Sequence, residues 1–293
     1  PNAIALNSSM VNSARLLGPS IGGVLIASIG EGYCFLIDGI SYIAVVIALL
    51  LMHVEPRPMN GPRASHLREL REGIGYAFGF APIRTVLILT SMISIMGMSY
   101  TVLMPVFATQ VLHGGSQTQG FLMAASGIGA LIGALYLASR RTVLGLGRII
   151  ATASAVFGLG LVTFAFSRFL WLSLVMMFLS GVAMITQSAS SNTILQTIVE
   201  DDKRGRVMSF FSVAFLGMAP IGSLLSGVLA DYIGPSYTVA AMGSCCILAG
   251  IFFAMQLPAI RVLVRPIYVE RGILPQMAVG IQSASQLHVP PEE

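Results

Sequence analysis

Charge is scarce in this sequence. Only 10% of its 293 residues are Asp, Glu, Lys or Arg, while 55% are hydrophobic. A water-soluble domain of this size has nowhere to hide so much apolar surface, which excludes an ordinary globular class. Cysteine is nearly absent: Cys34, Cys245 and Cys246 lie in apolar stretches without CxxC spacing, which argues against a disulfide framework or a zinc site. No metal and no cofactor is expected. The four histidines, His53, His66, His113 and His288, are scattered, and Asp201 and Asp202 lack a third acid at a ligating spacing, so an enzyme embedded in the membrane is not the favoured reading. A basic run is also missing. The net charge of +4 is spread over short loops, which removes nucleic acid as a partner. The chain opens at Pro1 with no initiator Met, basic n-region or cleavage site, so no signal peptide is read and the natural beginning is expected upstream.

What is present is a series of apolar runs long enough to cross a bilayer, each about 20 residues at 1.5 Å rise. Eight are read, at about Ala5 to Ile29, Tyr33 to Met52, Arg84 to Val111, Thr118 to Ala138, Gly147 to Ser167, Leu170 to Val199, Val207 to Tyr232, and Ser236 to Leu257. With the N-terminus inside, fourteen of the 16 basic residues fall on the cytoplasmic side, Arg168 falls outside, and Arg15 lies within a helix. That bias places both termini of the chain in the cytoplasm. Between the second and third spans, Leu67, Leu70, Ile74 and Phe78 recur at helix spacing opposite Arg68, Glu69, Arg71 and Glu72, the pattern of a helix lying on the cytoplasmic leaflet. After Leu257 a polar, proline-containing tail is expected.

The segment Gly23 to Ile47 can be laid on Gly227 to Ile251 at a constant offset of 204 residues, matching Gly23, Val24, Leu25, Ile29, Gly30, Tyr33, Gly39 and Ile47. Both copies are helix, tight outer turn, helix, and both follow a proline helix, at Pro19 and Pro220. A repeat of about 200 residues then holds six helices, and four more are expected before Pro1.

Two motifs make a family resemblance. The run Ala14-Arg15-Leu16-Leu17-Gly18-Pro19-Ser20-Ile21-Gly22-Gly23 resembles the fifth-helix "GPxxGG" signature of proton-driven exporters in the major facilitator superfamily. Asp202-Lys203-Arg204-Gly205-Arg206-Val207-Met208-Ser209, with Gly217, Pro220, Gly222 and Gly227, resembles the loop and eleventh helix of its enterobactin-exporter-like or transmembrane secretion effector branch. The resemblance implies an all-α, polytopic membrane helical bundle of major facilitator fold, with eight of twelve transmembrane helices present, the fifth to the twelfth. It divides the chain into the last two helices of the N-terminal half (1–52), a cytoplasmic central loop with an interfacial helix (53–83), a C-terminal six-helix half (84–258) and a cytoplasmic tail (259–293). It further implies proton-coupled export of a small molecule from the bacterial cytoplasm by alternating access. The partners would be the inner-membrane bilayer, protons and that substrate, and the full-length protein would be a monomer.

Within this frame, Gly18, Pro19, Gly22 and Gly23 remove side chains and one backbone donor from a helix, which suits a hinge or seal and equally suits close packing. Arg15 lies near the bilayer middle, where a guanidinium costs about 2.5 to 3.5 kcal/mol and needs a partner or water. Asp38 is the only acid well inside a span. Both are coupling or substrate candidates, with a structural ion pair or a wet vestibule as the alternative. Polar residues Ser91, Ser94, Ser99, Tyr100 and Thr101, and Gln187, Ser188, Ser190, Ser191, Asn192 and Gln196, can line a cavity or bond helix to helix. Gly97 and Pro105 are expected to interrupt the third span. Asp201, Asp202, Arg204 and Arg206, with Arg140 and Arg141, are candidates for a cytoplasmic gate, or else a solvated turn with basic anchors. A lipid or lysophospholipid flippase and a non-transporting membrane sensor remain alternatives on the same fold.

Overall fold

The computed structural model describes residues 31–51, 66–140 and 142–273, and the elements among them are helices. α1 covers Glu31–Leu51 and α2 covers His66–Gly79. Six long helices follow: α3 Ala81–Val111, α4 Ser116–Ser139, α5 Leu146–Phe166, α6 Leu170–Ile198, α7 Arg204–Ile233 and α8 Pro235–Glu270. All six have the length and hydropathy to span a bilayer. The first expected span, Ala5 to Ile29, lies outside the described residues.

Two of the boundaries that differ from the sequence reading involve proline. α3 starts before Arg84 because Pro82 occupies its first turn, where the missing N–H costs nothing. α8 does not end at Leu257 but runs through Pro258 and Pro266 to Glu270. Proline ordinarily stops a helix by removing a donor and crowding the preceding turn. Here the extension has packing of its own, with Val264 buried and Ile260, Ile267 and Tyr268 against the core. Its 36 residues reach about 54 Å, well beyond a hydrocarbon layer of about 30 Å.

α5 sits at the centre, packed along α6 on one side and α8 on the other. Phe157, Leu161 and Phe164 are enclosed with Phe107 of α3, Met177 of α6 and Phe253 of α8, and the Phe107 and Phe164 rings meet at 4.8 Å with a tilt of 32°. In lipid, one apolar neighbour is as good as another, so helices associate by closeness of fit and by polar bonds. The fit is close where Gly158 of α5 meets Gly243 of α8, since a Cβ on Gly243 would lie 2.8 Å from the Gly158 carbonyl oxygen, and closer still between α4 and α6, where a Cβ on Gly129 or Gly181 would lie 2.0 Å from the Phe178 or Ser126 oxygen. α4 and α7 are the least buried spans, and the described side chains of α1 are exposed.

The two ends of the bundle differ. At one, the turns carry Arg140, Arg148, Lys203, Arg204, Arg206 and Arg271. At the other, Phe166, Phe169, Trp171, Tyr232 and Tyr237 are exposed, and Phe166 and Tyr237 meet edge to face at 6.0 Å. Aromatic rings at one boundary and cations at the other fit a chain that crosses a membrane. α2 lies at the basic end. Gly73 and Ala77 are buried, with Gly73 against Phe210 of α7, while Ile74 and Phe78 are exposed as an interfacial helix requires.

Candidate functional site

The third span, expected to be interrupted, is broken by π-helical turns, and α7, for which no interruption was expected, is broken too. α3 contains two, Ile93–Gly97 and Phe107–Val111, on either side of Pro105, and α7 contains one, Val213–Gly217, three residues before Pro220. A π turn widens the helix by one residue and shifts the backbone register, and such turns concentrate at functional sites. The first α3 turn lies against the α7 turn, and Ser94 Oγ donates to the Phe215 backbone oxygen at 2.7 Å. Beside it, Ser99 Oγ donates to the Ile95 oxygen at 2.6 Å, and Gly222 of α7 comes so close that a Cβ would overlap that same oxygen.

Other polar residues of α3 and α6 divide between packing and exposure. Tyr100 Oη shares a 3.2 Å hydrogen bond with Ser126 Oγ of α4, and its ring meets Phe157 edge to face at 6.4 Å. Phe157 in turn fills the space above Gly97, where a side chain would collide with it. Thr101 is exposed and bonds its own helix at Met98 O, 2.8 Å away. On α6, Gln187 Nε2 donates to Ser191 Oγ at 3.2 Å, and Gln196 bonds Asn192. The buried hydroxyls of Thr186 and Ser190, one turn apart, have no hydrogen-bond partner among the described residues. Most of the expected cavity-lining hydroxyls on α3 are therefore spent on helix contacts.

At the basic end, the loop between α6 and α7 forms a charge cluster. Lys203 Nζ meets Glu200 Oε2 at 2.6 Å, and Arg204, the first residue of α7, pairs with Asp201 in the preceding turn. Lys203 also sits 4.6 Å above the Tyr76 ring of α2, while the Glu200 amide donates to Tyr76 Oη at 3.5 Å. The Glu200 hydrogen bond raises the Lys203 ammonium above its ordinary pKa. Partial desolvation opposes this, and the charges of Glu200, Asp202 and Tyr76 add to it. From the far end of α8, Arg271 donates to Val199 O at 2.7 Å and lies 3.8 Å from Asp201. Val199 is the C-cap of α6, so the guanidinium faces the negative end of that helix. Lys203 and Arg206 also line, with Gly73, Tyr76 and Val207, a cavity of about 250 Å³ beneath α2.

The expected site residues are therefore only partly brought together. Asp201 and Arg204 meet. Arg206 is in the same place, against α2, and Asp202 adds its field but forms no ion pair among the described residues. Arg140 is elsewhere: it donates from Nη2 to Leu144 O at 2.9 Å and from Nη1 to Tyr136 Oη at 3.4 Å, and so holds the α4 to α5 turn. Asp38 is exposed in the middle of α1, where its backbone oxygen accepts from Ser41 Oγ at 2.7 Å. Pro220 stands at the start of the α-helical stretch after the α7 π turn. Arg15, Gly18, Pro19, Gly22, Gly23 and Arg141 lie outside the described residues. Two participants had no clear signal in the sequence. Tyr76 reads only as part of an amphipathic helix, and Arg271 only as a basic anchor, because its partner oxygen belongs to the backbone 72 residues away.

A bundle of membrane-spanning helices, two of them broken by π turns, with a charged turn at one end, defines a polytopic membrane protein. The chain belongs to the transmembrane secretion effector family, whose model matches residues 1–265. It is 30% identical over 257 residues to the staphyloferrin A transporter of Staphylococcus aureus, covering 86% of this chain and 63% of that protein. It is 26% identical over 275 residues to the multidrug efflux pump Tap of Mycolicibacterium fortuitum, covering 89% of the chain and 64% of the pump. With the enterobactin exporter EntS of Escherichia coli it shares 25% identity over 259 residues, covering 88% and 61%. The chain thus spans a little under two thirds of the length of these relatives.

Proposed function

We propose that the protein is a secondary active transporter that exports a small molecule, of the siderophore or drug kind, from the bacterial cytoplasm in exchange for protons, by alternating access. The observation that carries this reading is the likeness, over most of the chain, to relatives named for siderophore and drug transport. The basic end of the bundle is the cytoplasmic face, both termini lie there, and the full-length protein works as a monomer. Residues 1–52 belong to the N-terminal half, 53–83 join the halves, 84–258 form the C-terminal half, and 259–293 begin with the α8 extension. Arg15 and Asp38 couple proton and substrate, since a charge within a span is costly unless it has work to do. Gly18, Pro19, Gly22, Gly23 and Pro220 supply close approach and bending. The loop cluster at Asp201, Asp202, Arg204 and Arg206, with Arg140 and Arg141 in the neighbouring turn, holds one conformational state.

The test is transport by the full-length protein in inside-out membrane vesicles, with catecholate and citrate siderophores and a panel of cationic drugs as probes. Uptake that rises with an imposed pH gradient and collapses with a protonophore supports the proposal. Uptake indifferent to the gradient rejects the proton coupling, and no movement of any probe rejects small-molecule export in favour of a lipid or sensing role.

A further inference from the structure

The hydrogen bond between the two π turns points to a mechanical joint. We infer that α3 and α7 bend as a coupled pair about Ser94 and the Phe215 carbonyl, so that the halves of these helices beyond the π turns swing together. Three observations carry this inference.

First, the chemistry of the acceptor is specific. In π register, a carbonyl at position 215 takes its bond from the N–H of residue 220, and residue 220 is proline, which has none. Ser94 Oγ supplies a donor to that oxygen from the neighbouring helix. A buried carbonyl in a span demands such a partner, because lipid offers no substitute. Ser94 is fully buried, so water does not compete for it.

Second, the two breaks lie at the same depth. Both helices enter from the basic end. Ser94 is thirteen residues beyond the start of α3 and Phe215 eleven beyond the start of α7, so they stand about 20 and 17 Å along their axes. Two parallel helices hinged at matching heights can tilt together without sliding past each other. Gly222 keeps the contact close just beyond the joint, against Ile95 O.

Third, among the described residues α3 is held more firmly than α7. The α3 turn is anchored to α4 through Tyr100 and Ser126 and to α5 through Phe157. α7 is among the least buried spans, with Leu216, Ile221, Leu224 and Val228 exposed. The less enclosed partner is therefore α7, and Ser94 ties it to the anchored one. The joint rests on the transporter reading only for its purpose; its existence is a matter of structure.

The experiment is a distance measurement by double electron–electron resonance, with nitroxide labels at exposed Gln110 on α3 and Tyr232 on α7 of the full-length protein in nanodiscs. The unsubstituted pair should give one narrow distance population, Ser94→Ala should broaden it or add a second, and Ser94→Thr, which keeps the hydroxyl, should restore the narrow one. Pro220→Ala returns an N–H to position 220, so Ser94→Ala should have a smaller effect in that background. Circular dichroism of each variant establishes that helix content is retained. An Ser94→Ala distribution that matches the unsubstituted one, or an effect of equal size with and without Pro220, would overturn the coupling. Because no substrate is involved, this failure is separable from failure of the export reading.

Discussion

Arg271 closes the basic end of the bundle by donating to the Val199 backbone oxygen at 2.7 Å, which joins the last turn of α8 to the C-cap of α6. Asp201 stands 3.8 Å from the same guanidinium and pairs with Arg204, so α6, α7 and α8 are tied at one point.

Arg271→Met should loosen that point. A charged donor on a helix C-terminus contributes about 1 kcal/mol when it is partly exposed, and the outward-lying pair with Asp201 adds little. Amide hydrogen exchange over residues 196–206 is expected to rise several-fold, while the α5 core stays protected. Arg271→Lys should recover part of the protection, since an ammonium keeps the charge but loses the fork.

Gly222→Leu should be far more damaging than a change on the exposed face of the same helix. Its side chain would drive into Ile95 O and Ser99 Oγ and force α3 and α7 apart at their joint. Overpacking of this kind costs about 1 to 3 kcal/mol, and the separation would also strip the Phe215 carbonyl of its partner. A fall in the detergent melting temperature, compared with Leu224→Ala as the exposed control, checks it.

The Lys203 contact predicts a direction with pH. Because its pKa is raised above the ordinary lysine value, its contribution is complete below that value and is lost as pH rises through the shifted one. Between neutral pH and about pH 10, the lysine side of the cluster should therefore not change. Nitrogen-detected NMR of the Lys203 ammonium, followed upward from pH 9, should show later deprotonation than in Glu200→Gln.

The span count was largely legible because a bilayer imposes a length that apolar runs must meet. Thr118 to Ala138 became Ser116–Ser139, and Gly147 to Ser167 became Leu146–Phe166. The end of α8 was not legible, since Pro258 and Pro266 signal a stop that packing at Val264 overrides. The interruption of the third span was readable from Gly97 and Pro105, but not its form. Which carbonyl Ser94 would seek depends on a register shift in another helix, and a backbone acceptor leaves no mark in a sequence. For the same reason the Arg271 to Val199 contact was hidden. Asp201 and Arg204 were readable as members of one charged loop, three residues apart, but not as partners of each other.

Asp38 carries the proton in the proposed mechanism, and its removal should separate binding from driving force. Asp38→Asn is expected to leave substrate counterflow between equal concentrations intact while abolishing accumulation against a gradient. Loss of both together would point to a structural role in α1.

Proton-driven export is tested most directly by simultaneous recording of substrate and proton movement in proteoliposomes containing the purified full-length protein. Adding substrate on the side of the basic end should release protons from the opposite flow in fixed proportion, visible as a lumenal pH change that a protonophore erases. Substrate movement with no accompanying pH change would contradict it.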